Sequence, residues 1–110
     1  MCNCNCNIVK STAIEVGSNL ITVTIPTTTF ISPEKFNLAI VQNIPISAYG
    51  LPISITNGSS TWNLFDKCGN YVFGGEVRTG RVYKIYYSDF PAHMTIVSDN
   101  LNRFAAKCAN

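Results

Sequence analysis

Apolar and polar positions alternate with a period of two through most of this chain. Ile21, Val23 and Ile25 share one face of a run in which Thr22 and Thr24 take the other. Phe36, Leu38 and Ile40 alternate with Asn37, Ala39 and Val41, and Tyr83, Ile85 and Tyr87 alternate with Val82, Lys84 and Tyr86. Successive side chains of a strand point to opposite faces, so this pattern predicts strands with one buried face. Strands are predicted at residues 8–16, 20–25, 36–41, 53–56, 62–66, 71–73, 81–87 and 94–97. Gly17-Ser18-Asn19 joins the first two, and Pro26 ends the second. Residues 33–35, Pro-Glu-Lys, form a turn or one helical turn, since proline suits a first helical position. About eight short strands with turn signals between them predict an antiparallel β-sandwich or a small barrel.

Residues 61–90 organise this pattern. They read as a meander of three strands, cut by Lys67-Cys68-Gly69-Asn70 and by Gly74-Gly75, with Gly80 launching the longest aromatic strand. Upstream, Asn57-Gly58 is the strongest hairpin signal in the chain. Asn57-Gly58-Ser59 also fits a glycosylation acceptor, but without a secretory signal it reads as a turn. Gln42 to Leu51 is a loop that offers Ile46 and Tyr49 to the surface.

Composition narrows the partners. At 110 residues the chain is one domain with a modest core, divided into an arm at 1–7, a β-sandwich domain at 8–98 and a tail at 99–110. A net charge of +2 argues against a nucleic-acid partner. Charged residues make up 13% against roughly 25% in typical soluble domains, so Ser, Thr and Asn supply the polar surface. Such a surface suits both a subunit packed against neighbours and an ordinary extracellular-type domain. No apolar run reaches the length of a membrane span, so no membrane partner is expected. The start, MCNCNCNIVK, has no hydrophobic segment of a secretory signal, which predicts folding in a cytoplasm.

Five cysteines, Cys2, Cys4, Cys6, Cys68 and Cys108, exclude a fully paired framework within one chain. In an extended arm Cys2, Cys4 and Cys6 line one side. They could bind a metal with Cys108, link chains through disulfides, or remain reduced and dock on a partner. The spacing departs from the usual zinc pattern and no histidine is near, so the docking arm is preferred and no metal or other cofactor is assigned.

Candidate chemistry is sparse. A Cys68–His93 pair is conceivable, but no flanking residues form a nucleophile motif. The carboxylates Glu15, Glu34, Asp66, Glu76, Asp89 and Asp99 are scattered, and Asp66 and Asp89 close strands as turn residues. Gly69, Gly74, Gly75 and Gly80 lack the spacing and the following helix of a phosphate loop. No catalytic residue is assigned, and the chain is expected not to be an enzyme. The tyrosines at 83–87, beside Arg78, Arg81 and Lys84, can pack a core and an interface, or either they or Trp62 can stack a sugar.

The segment LFDKCGNYVFGGEVRTGRVYKIYYSDF, residues 64–90, has the form Asp-x-x-Gly-Asn, strand, Gly, Arg-Thr-Gly, strand, Asp. It is similar to meanders of small structural proteins in tailed bacteriophage virions. With its Cys-Asn start and Thr-rich second strand, the chain resembles auxiliary capsid (decoration) proteins of crAss-like phages. The resemblance implies an Ig-like or jelly-roll-like domain, present in many copies on the capsid shell of a virion assembled in the host cytoplasm. Its partners would be the major capsid protein or other virion subunits. A carbohydrate-binding or adhesive module is the alternative expectation.

Overall fold

A computed structural model describes residues 8–26, 34–89, 92–98 and 100–101. Eight strands form one mixed sheet: β1 (Ile8–Lys10), β2 (Ala13–Val16), β3 (Ile21–Thr24), β4 (Glu34–Ala39), β5 (Ile53–Thr56), β6 (Thr61–Asp66), β7 (Val82–Asp89) and β8 (Ala92–Ile96). Their order across the sheet is β1-β4-β7-β8-β6-β5-β3-β2. The sheet curls into a half-barrel, and no α-helix occurs among the described residues. The expected antiparallel sandwich is thus corrected to a single curled sheet. Three pairs, β1–β4, β3–β5 and β6–β8, are parallel. Period-two alternation specifies which face a side chain occupies and is silent on a neighbour's direction.

The curl is visible in one short link. β1 and β2 lie at opposite ends of the strand order, yet only Ser11 and Thr12 separate them in sequence. Ser11 N–H donates to Ala39 O beside β1, and Thr12 N–H donates to Thr24 O beside β2. The predicted strand 8–16 is therefore split, its two halves serving opposite edges. Ser11 is buried at this bend and its polar groups are engaged. Its Oγ accepts from Val41 N–H at 2.9 Å and donates to Gln42 Oε1, whose Nε2 donates back to Ser11 O at 3.2 Å. Burying a hydroxyl without such partners costs about 1–3 kcal/mol.

The concave side holds the core. Ile21, Val23, Leu38, Ile53, Ile55, Leu64, Ile85, Met94 and Ile96 are buried there, on the faces that the alternation marks as apolar. Each such side chain stabilises the fold by about 1.5–3 kcal/mol through removal of its surface from water. The outer edge differs: Val16 is exposed on β2, which has a neighbour on one side only.

The predicted meander is also corrected. β6 and β7 are not neighbours, because β8 inserts between them and runs parallel to β6. The predicted strand 71–73 reduces to two isolated bridges, Phe65↔Tyr71 and Pro52↔Phe73. The Asn57-Gly58 hairpin between β5 and β6 forms as expected. Gly58 has φ +94°, and Asn57 Oδ1 accepts from Ser59 and Ser60 N–H at 3.0 and 2.9 Å. Two 3-10 turns, Ile46–Ala48 and Gly74–Glu76, close one end, where Gly74 N–H donates to Leu51 O and Gly75 N–H to Tyr49 O.

Tyr83 is the largest fully buried side chain among the described residues. Its Oη accepts from Arg78 N–H at 2.8 Å, tying the 77–81 turn to β7. Burial pushes its phenol above the ordinary value near 10, partly opposed by that hydrogen bond and by the charges of Arg81 and Arg78. The raised value favours the protonated phenol in the fold. Its stabilisation is complete below the unfolded-state value and is lost as pH rises through the folded one. Urea titrations across roughly pH 9–12 should show stability falling above about pH 10, with a shallower decline for Tyr83→Phe. An unchanged slope in the variant would contradict the assignment.

Candidate binding surfaces

The convex side of β6 and β8 carries a cleft. β6 alternates, with Trp62, Leu64 and Asp66 inward and Thr61, Asn63 and Phe65 outward. In β8 the buried Met94 and Ile96 leave His93 and Thr95 on the outer face. Parallel pairing sets Phe65 opposite Thr95, which brings Asn63, Phe65, His93 and Thr95 together with Lys67 around a cavity of 500 Å³. Phe65 stacks on Tyr71 with centroids 5.1 Å apart at 27°, and His93 meets Phe65 edge-on at 6.1 Å and 70°. Tyr71 is 47% exposed, so the aromatic surface extends beyond the cleft.

The rim is fixed by Asp66. Its carboxylate is buried, and Oδ1 accepts from Cys68 N–H and Asn70 N–H, both at 2.9 Å. The expectation that Asp66 serves turn geometry holds. Cys68, in the same turn, is disulfide-bonded, and its partner cysteine lies outside the described residues. The conceivable Cys68–His93 pair is thereby ruled out as nucleophile and base, because a disulfide sulfur is not a thiolate.

Of the aromatic residues marked for sugar stacking, Trp62, Tyr83 and Tyr87 lie inside, and Tyr86 is half-buried on the outer face, paired opposite Thr95. Trp62 is 7% exposed and packs edge-on against Tyr87 at 5.6 Å and 79°; Tyr83 and Tyr87 are also buried. Exposed Tyr71 and the half-buried Phe65 and His93 form the outward cluster instead. Phe65 was legible as the residue out of phase with its apolar neighbours Trp62 and Leu64, whereas its meeting with His93 depends on the β6–β8 pairing. Arg78, Arg81 and Lys84 are exposed, and Arg81 Nη1 donates to Asn100 O at 2.9 Å. Glu76 Oε1 accepts from Phe73 N–H at 3.0 Å and stabilises the second 3-10 turn. Among the described residues no group of three or more His, Cys, Asp or Glu could hold a metal. The arm with Cys2, Cys4 and Cys6, and Cys108 in the tail, lie outside those residues, as do Glu34 and Asp89 side chains and Asp99.

A second surface lies at the end closed by the 3-10 turns. Ile46 is 80% exposed, and Tyr49 and Phe73 are exposed beside it on the two turns. Asn43, Ile44, Tyr49, Val77, Arg78 and Thr79 line a shallow depression of 400 Å³ there. This surface agrees with the expectation that Ile46 and Tyr49 face outward.

No family model, curated protein or solved structure matches this chain.

Proposed function

We propose that this chain is a non-enzymatic structural subunit that docks on a protein shell, in the manner of an auxiliary capsid protein of a tailed phage virion. The observation that carries the reading is the apolar end formed by Ile46, Tyr49 and Phe73. An isoleucine left 80% exposed gains from any protein surface that covers it. The low charge of the chain acts in the same direction, because few ions must be desolvated when such a surface packs against a neighbour. The Cys-Asn start and the turn residues of 64–90, which resemble those of phage auxiliary capsid proteins, suggest a virion as the setting and the major capsid protein as the partner, although 64–90 does not fold as a meander.

Mass spectrometry and electron microscopy of particles from a phage that encodes this chain test the setting, with many copies per shell expected. For the surface, Ile46→Asp should weaken binding of the purified chain to shells at least about tenfold while leaving its circular dichroism unchanged. Absence from the particles, or wild-type shell binding by Ile46→Asp, would count against the proposal.

A further inference from the structure

We propose that the cleft between β6 and β8 binds a neutral saccharide. This site is separate from the docking end, and the inference does not rest on the shell-binding reading. A pyranose ring presents an apolar face of C–H groups and a rim of hydroxyls. The cleft matches both. The Phe65–Tyr71 pair supplies an outward aromatic surface, whereas Trp62, Tyr83 and Tyr87 are packed inside. Asn63 supplies an amide, Thr95 a hydroxyl and His93 an imidazole, and such groups both donate to and accept from sugar hydroxyls.

Charge selects among ligand classes. Lys67 is the single Lys or Arg among the lining residues, too little for a phosphate chain or a nucleic acid. Asp66, the single carboxylate there, is buried and holds the turn through Oδ1. The polar rim disfavours a wholly apolar ligand. A volume of 500 Å³ falls within the roughly 300–1,000 Å³ of small-ligand clefts. The cleft also rests on regular strands, so Asn63, Phe65, His93 and Thr95 hold their spacing by backbone pairing before any ligand arrives.

The test uses the full-length chain on a glycan microarray, followed by two-dimensional NMR titration with lactose, maltose, cellobiose and diacetylchitobiose, and with sialyllactose as the anionic probe. Saturable shifts confined to Asn63, Phe65, Tyr71, His93 and Thr95 are expected with at least one neutral sugar. Phe65→Ala should weaken that binding at least about tenfold. Asn63→Ala, which removes an outward amide and leaves the core untouched, should weaken it severalfold with the spectrum otherwise retained. Ile46→Asp should bind sugar as the wild type does, and Asn63→Ala should bind shells as the wild type does, so failure of either proposal is distinguishable. No binding on the array and in the titrations, a preference for sialyllactose, or shifts elsewhere on the surface would overturn the inference.

Discussion

Gly74→Ala is expected to destabilise the domain by about 2–3 kcal/mol, a fall in Tm of roughly 8–15 °C. The reason is space rather than backbone conformation. A Cβ at Gly74 would lie 2.8 Å from the carbonyl oxygen of Ala48 and 2.7 Å from Ile21 Cδ1, with Ile44 Cγ2 at 3.2 Å. Ile21 belongs to the buried core and Ala48 O to the first 3-10 turn, so relief of the clash must move either core or backbone. Gly74 also bonds Leu51 O through its N–H, which holds the two turns at this distance. Replacing glycine by alanine ordinarily gains about 0.4–1 kcal/mol by restricting the unfolded chain, and that gain is too small to offset the collision. Gly50→Ala is the matched control. Nothing lies within 4 Å of its Cβ position, so a neutral or slightly stabilising effect is expected. Thermal unfolding of both variants checks the pair. Equal melting temperatures would refute the close packing of the two turns, and with it the geometry of the apolar end proposed for docking.

Reduction of the disulfide at Cys68, in the turn beside the cleft, is expected to destabilise the domain as a whole. Cys68 is disulfide-bonded, and the nearest other cysteine in sequence is Cys108. The cross-link therefore closes a loop of about 40 residues or more, for which chain entropy gives a stabilisation of about 2–4 kcal/mol. Guanidinium unfolding with and without dithiothreitol should show this loss, and Cys68→Ser should reproduce most of it without reductant. The turn itself should outlast the bond, because Asp66 Oδ1 still accepts from Cys68 N–H and Asn70 N–H and Asp66 N–H still donates to Asn70 O. Coincident denaturation curves for oxidised, reduced and substituted protein would show that the disulfide contributes nothing to the fold. Persistent disulfides belong to oxidising surroundings. A stabilising Cys68 bond thus departs from the reduced state expected of thiols in a cytoplasm.

The two surfaces differ in how far the sequence exposes them. Ile46 and Tyr49 stand in a loop with Pro45 and Gly50, where no alternation offers them a buried face, and the structure leaves them exposed. The aromatic cleft is assembled from residues 63 to 95 across a parallel pair, and its members are not neighbours in sequence. Tyr83 and Tyr87 illustrate the converse. Their side-chain type fits a stacking platform as well as a core, and only the direction of curl places them on the concave side.

By itself the sequence determined the β-rich class, the buried apolar face of β3 and β4 and the Asn57-Gly58 hairpin. These follow from local chemistry: side-chain alternation is built into an extended backbone, and a left-handed turn position selects glycine. The tertiary structure decided strand order, the three parallel pairs, the split of 8–16 at Ser11 and the division of the aromatic residues between core and cleft. Those properties arise from which distant strands pair, and a period of two is the same for either neighbour and either direction.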